Sequence, residues 1–309
     1  MCIISSNRQQ VKTGVRRIKT FLEVTMSDPT ISTKSEQVLK TDDKIYSITR
    51  VVALIVVPFL WLAFLILYFF PDLTGERFAW AIKPHMTSLY LGAGYLGGSW
   101  LFINAIFGKR WHRIQGGFLP ITAFTWMMMI STFLHWDRFA VGKLGFILWV
   151  ILYVITPFLV PALWFFNRKT DSGELETIDV AIPPLVSPIF KFTALGALIF
   201  VVVGFLNPEF VINIWPWTLS VLTARVMCGW IALLGVGMFT MSNETRWSGW
   251  KVPIESIIIW HFLVLVAIAM NSADFTTSLI NWYTLLVGVM MIGILIFYPI
   301  MEMRKRKVK

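Results

Sequence analysis

Long unbroken apolar runs alternate with short polar segments along this chain, and none of the runs shows the period-two alternation of a membrane β-strand. A helix needs about 20 apolar residues to cross the hydrocarbon of a bilayer. The runs therefore predict eight transmembrane helices, near 48–70, 86–108, 118–136, 145–167, 192–206, 218–241, 254–270 and 282–301, of which the fifth is the shortest. Lipid offers no water to backbone groups, so each run must satisfy its own N–H and C=O groups, which a helix does.

The pattern repeats. Trp80 to Tyr95 lies over Trp215 to Trp230 at one offset, matching Ser88 to Thr223 and Gly94 to Gly229. Further on, Arg110-Trp111 answers Arg246-Trp247, Pro120 answers Pro253, and Asp137-Arg138-Phe139 answers Asp274-Phe275. Each half closes on basic residues, Asn167-Arg168-Lys169 and Arg304-Lys305-Arg306. The preserved order of these landmarks predicts two four-helix units, 48–168 and 190–306. Four spans per unit is an even number, so the units would run the same way through the bilayer, with a cleft between them.

Composition agrees with this reading. Hydrophobic residues make up 57% of the chain, charged ones 14%, and mean hydropathy is +0.70, far more apolar surface than one soluble core buries. The expected fold class is an all-α, polytopic integral membrane protein of about eight transmembrane helices arranged as two parallel four-helix repeats, with the lipid bilayer as its main partner. With both termini on one side, 22 Lys and Arg fall on that side and four on the other. The positive-inside tendency then places the termini in the cytoplasm, in a plasma (cell inner) membrane. The net charge of +10 is this inner fringe facing anionic lipid, and no basic folded domain is present to bind nucleic acid.

Residues 1–47 are polar and read as a cytoplasmic, mostly disordered segment; Val15 to Val24 has the charge of a surface helix, and Met26-Ser27-Asp28-Pro29 has the form of a start site. Residues 169–191 carry Asp171, Glu174, Glu176 and Asp179 before Ile182-Pro183-Pro184 and read as a solvated, acidic, Pro-containing linker.

Candidate chemistry gathers at the outer ends of the spans. Arg225 falls about two turns into the sixth span, where a cation demands a partner; Asp137 and Asp274 are at hand, and its counterpart at the repeat offset is Tyr90. His85, at the start of span 2, His135 and Asp137, at the end of span 3, and Thr223 complete one polar belt suited to an anionic or zwitterionic solute or to proton relay. Glu255 is explained by the positive end of a helix beginning just before it. No nucleophile elbow, phosphate loop, or His and Cys spacing for a metal occurs, so no enzyme activity and no cofactor is expected. The expectation is a permease with a site between the repeats; the competing class is a non-transporting membrane subunit or scaffold, held to copies of itself, to a complex partner or to lipids.

Overall fold

Eight long helices carry the fold of the computed structural model, which describes residues 42–308. They are α1 (Ser47–Phe69), α2 (His85–Phe107), α3 (Phe118–Leu134), α4 (Leu144–Asn167), α5 (Val186–Leu206), α6 (Val221–Ser242), α7 (Trp247–Met270) and α8 (Trp282–Arg306). The readings made for residues 1–41 lie outside the described residues. The fifth span gains a turn and a half over its expected length and the seventh gains two turns, because Pro188 and Pro253 fall within helices that begin before them.

Local chemistry sets the helix ends. The Ser220 hydroxyl accepts from the Thr223 N–H and caps α6, and the Asn281 amide oxygen accepts from the Tyr283 and Thr284 N–H groups and caps α8. Pro71 and Pro208 open short helical turns directly after α1 and α5, where a missing N–H costs nothing.

Seven segments are long and apolar enough to cross a membrane; α2 has the length but not the hydropathy, because glycines, serines and tyrosines dilute it. Its position explains the composition. Fifteen of its 23 residues are buried, against three of 21 in α5, so α2 meets protein where α5 meets lipid. The outer helices expose large apolar side chains, Leu54 60% accessible, Phe192 81% and Val289 69%, surface of the kind a bilayer accommodates. The chain is a polytopic all-α membrane protein.

The helices pack in two series. α1 packs on α2, α2 on α7 and α7 on α8; α4 packs on α3, α3 on α6 and α6 on α5. Each series joins two helices from the first half of the chain to two from the second. Cross-contacts link the series at mid-depth, where Gly94 of α2 meets the Trp230 ring of α6. Successive helices alternate in direction, so Asp43, His112, Thr170, Glu244 and Glu302 share one end of the bundle, here the near face. Asp72, His85, His135, Phe205 and Asp274 share the other, the far face.

Candidate functional site

At the far face, the end of α5, the second turn of α6 and the end of α3 converge on one contact. Nη1 of Arg225 lies 2.6 Å from Nε2 of His135, and Nε of Arg225 donates to the Phe205 carbonyl at 3.1 Å. The guanidinium also lies over the Phe205 ring, 5.7 Å from its centroid. Because a guanidinium only donates, Nε2 must accept, which fixes His135 as neutral with its proton on Nδ1. Burial, and then the Arg225 charge, hold the His135 imidazole below the ordinary histidine range; Arg138 adds to this and Asp137 opposes it. Among the described residues no carboxylate pairs with Arg225. Its charge is shared between a carbonyl, an aromatic face and a neutral imidazole.

The other sequence-predicted residues go elsewhere. Asp137 is exposed and pairs with Arg138 at 3.1 Å. His85 Nε2 meets Asp72 Oδ1 at 2.8 Å, the histidine half-buried and the carboxylate exposed. The Thr223 hydroxyl stays with the α6 cap, 2.8 Å from Ser220 Oγ. Tyr90 is buried at the aromatic centre, with ring centroids 5.6 Å from Trp260 and 6.3 Å from both Trp230 and Tyr283. Asp274, one partner expected for Arg225, instead accepts from the Met86 N–H at 2.7 Å and caps α2. Of the expected belt, then, the structure joins Arg225 to His135 and disperses the rest.

A second polar assembly, at the near face, was not expected. His112 is 2% exposed. Its Nδ1 meets the Asp43 carboxylate, while Nε2 lies 2.8 Å from Ser248 Oγ and 3.2 Å from Glu176 Oε1. The Ser248 hydroxyl gives its proton to Asp179, which also accepts from the Ser248 N–H at 3.1 Å. Ser248 Oγ therefore accepts from Nε2 of His112. The arrangement superficially matches a Ser-His-Asp triad, but the serine hydroxyl donates to the Asp179 carboxylate and not to the imidazole.

The 169–191 segment supplies most of the acids, which corrects the expectation of a solvated linker. Asp171 accepts a bidentate pair from Arg246, at 2.7 and 2.8 Å; Arg246 also donates to Glu244, and Arg113 donates to Glu176 at 2.6 Å. Burial raises the Asp171 carboxyl, but the hydrogen bond from Arg246, the Gly173 N–H and the Arg246 charge outweigh it and hold it at about 2. Glu176 is raised by burial and lowered further by the Arg113 hydrogen bonds and charge, ending below the usual carboxylate range. Burial disfavours the Arg246 cation, yet its two carboxylates raise its pKa. Ligand atoms of Asp43, His112 and Asp171 lie within 4.8 Å of one another, but a cation there would have to displace Arg246 from Asp171.

Glu255 also departs from expectation. Because α7 begins at Trp247, Glu255 sits in its third turn, and its carboxylate accepts from the Trp100 indole N–H at 2.8 Å and the Tyr298 hydroxyl at 2.7 Å. Partners, not a helix terminus, explain it.

Between the two faces lies an aromatic centre. Trp230 packs on Phe124, Trp260 and Tyr95 with centroid separations of 4.4, 4.9 and 5.4 Å. Gly94 and Gly97 let these rings close on α2: a Cβ at Gly97 would lie 2.7 Å from the Ser256 carbonyl and 2.8 Å from Trp260 Cβ. Among the described residues eight buried side-chain polar atoms lack a hydrogen-bond partner: the Trp230 and Trp260 indole nitrogens and Ser256 Oγ at this centre, and those of Trp80, Trp111, Ser131, Trp215 and Tyr283 toward the two faces. Such groups are costly to leave bare. No protein-family model, no curated protein and no solved structure matches this chain.

Proposed function

We propose that this chain is a permease for a small polar solute, with its site at mid-depth between two duplicated four-helix units and a polar gate at each face. The observation that carries the reading is the placement of unpartnered donors. The Trp230 and Trp260 indoles, on helices of the second unit, meet α2 of the first near the middle of the bundle and have no acceptor among the described residues. A solute that accepts hydrogen bonds would satisfy them.

The gates are built alike in one respect, since each is a contact between halves. At the far face, Arg225 of α6 meets His135 at the end of α3. At the near face, His112, just before α3, meets Ser248 of α7. Closing both leaves the centre sealed, as in the occluded state of an alternating-access carrier.

Duplication is supported by elements that recur at an offset of 136 or 137. α2 and α6 begin at 85 and 221, the continuous spans through α3 and α7 end at 134 and 270, and the short helical turns open at Pro71 and Pro208. The Trp80–Phe139 pair, 5.3 Å and 65° between rings, has its counterpart in Trp217–Phe275, 5.4 Å and 67°. The Ala140 N–H donates to the Ala79 carbonyl as the Thr276 N–H does to Pro216. This register sets Trp80 opposite Trp217 and Arg225 opposite Leu89. With the arginine-rich near face turned to the cytoplasm, the orientation fits the positive-inside tendency.

Cysteine accessibility tests the reading without a known solute. In a background with Cys2 and Cys228 replaced by serine, Ser256→Cys should react with a membrane-impermeant thiol reagent from both sides of sealed vesicles, and Arg225→Gln should speed reaction from the far face. Protection from both sides in every background would reject a permease and favour the scaffold.

A further inference from the structure

In the second turn of α6 the Arg225 guanidinium is held by the Phe205 carbonyl and a neutral histidine and, among the described residues, by no acid. Charged side chains in membranes pair with one another or with backbone carbonyls; Arg225 has the Phe205 carbonyl, while Asp137 and Asp274 lie on this face but are engaged with Arg138 and the Met86 N–H. Arg225 has more donors than its contacts with Phe205 and His135 use. Both side chains are only half-buried, so the pair is open to solvent and lipid headgroups at the far face.

The contact itself depends on protonation. Nε2 of His135 accepts from Nη1 of Arg225 through its lone pair. A proton from solvent that binds this lone pair ends the hydrogen bond and sets two cations side by side. An oxyanion between them would accept from both and cancel their repulsion. The charged groups facing His135 are Arg225 from α6 and Asp137 and Arg138 from its own loop. Asp137 pairs with Arg138, and its pull on His135 is outweighed by burial and by the Arg225 charge.

We infer that Arg225 and His135 form an oxyanion site that takes up a proton and an anion together, the proton on Nε2 of His135 and the anion between the imidazolium and the guanidinium. The ligand chemistry is a phosphate-, sulfate- or carboxylate-type group, from a free solute or from an anionic lipid headgroup. The site rests on the geometry of the pair and stands apart from whether the chain transports.

Sulfate is a suitable probe because its charge is constant across the titration of histidine. The whole chain in phosphatidylcholine nanodiscs should bind sulfate roughly tenfold tighter near about pH 5.5 than near about pH 7.5, read by calorimetry. His135→Gln, which still accepts from Arg225 but takes no proton, should lose the pH dependence, and Arg225→Gln should lose the binding. If the source is lipid, sulfate binds weakly in all samples. Mixed nanodiscs should then show phosphatidylglycerol enriched around the wild type at the lower pH and not around either variant, read by mass spectrometry. Should Arg225→Gln fail to fold, Arg225→Lys together with His135→Gln reports the same dependence. Absence of both ligands, or binding that both variants retain with an unchanged pH profile, overturns the assignment.

Discussion

Gly94 of α2 faces the indole ring of Trp230 on α6 so closely that a Cβ there would sit 2.4 Å from the ring. The two residues come from different halves of the chain, and the contact lies at the middle of both helices. A ring cannot yield like the end of a flexible side chain, because Phe124, Tyr95 and Trp260 hold it on its other sides. Gly94→Ala should therefore destabilise by about 1–3 kcal/mol through overpacking. Gly98, one turn on, has nothing within 4 Å of its Cβ position, so Gly98→Ala should be neutral or slightly stabilising. Thermal unfolding in detergent, followed by tryptophan fluorescence, separates the two; equal midpoints would mean that the central contact is not tight.

Arg246 is 3% exposed and holds Asp171 and Glu244 at once. Removing it leaves two largely buried carboxylates without their cation. Arg246→Met should cost about 3–5 kcal/mol. The double variant Arg246→Met with Asp171→Asn should recover part of that loss, because one of the stranded charges is gone. A double-mutant cycle on the unfolding midpoint measures the coupling, and additive losses would show that the pair is not engaged.

Acid should loosen the same assembly. Asp171 is held at about 2, below the ordinary carboxylate value, so it binds fewer protons folded than unfolded. Its stabilisation is present above the unfolded pKa and is lost as pH falls through the folded one, a window from about 4 down to about 2. Asp171→Asn should flatten the fall in unfolding midpoint across that window, leaving the smaller fall due to Glu176, whose carboxyl is also lowered.

How much of this is legible in the sequence depends on the range of the interaction. The spans are, because a helix in lipid must satisfy its backbone within one segment, and run length reports that directly. α2 shows the limit: Gly92, Gly94 and Gly97 lower its hydropathy, and only the neighbouring helices explain why. Gly94 and Gly98 have the small-xxx-small spacing, but the close approaches are at Gly94 and Gly97, since rotation about the helix axis is set by partners. Arg225 stands out from sequence alone as a cation in a span, and His135 as its neighbour in depth; that they touch, and that Asp137 does not join them, is decided by loop geometry. The His112 assembly is the least legible. His112 meets partners 69 and 136 residues away, brought together only when the acidic linker folds back on both halves. One signal was present: acids at 171–179 answer the three arginines Arg110, Arg113 and Arg246, a complementarity that argues against a free linker.

The far-face pair makes a prediction of opposite character to the near-face acids, since it turns on a base. The folded state holds His135 below the ordinary histidine range through burial and the Arg225 charge, so folding favours the neutral imidazole. The sign follows: with the folded pKa depressed, the stabilisation is complete above the unfolded value of about 6.5 and is lost as pH falls through the folded one. In phosphatidylcholine and without added oxyanion, the unfolding midpoint of the wild type should fall between about pH 7 and about pH 5. His135→Gln should be level over the same range, because a glutamine oxygen accepts from Arg225 at every pH. Adding sulfate should restore the wild-type midpoint at the acid end and shift that of His135→Gln by the same amount at every pH. A wild-type midpoint that stays level, or that rises in acid without sulfate, would show that the imidazole does not serve as the acceptor for Arg225.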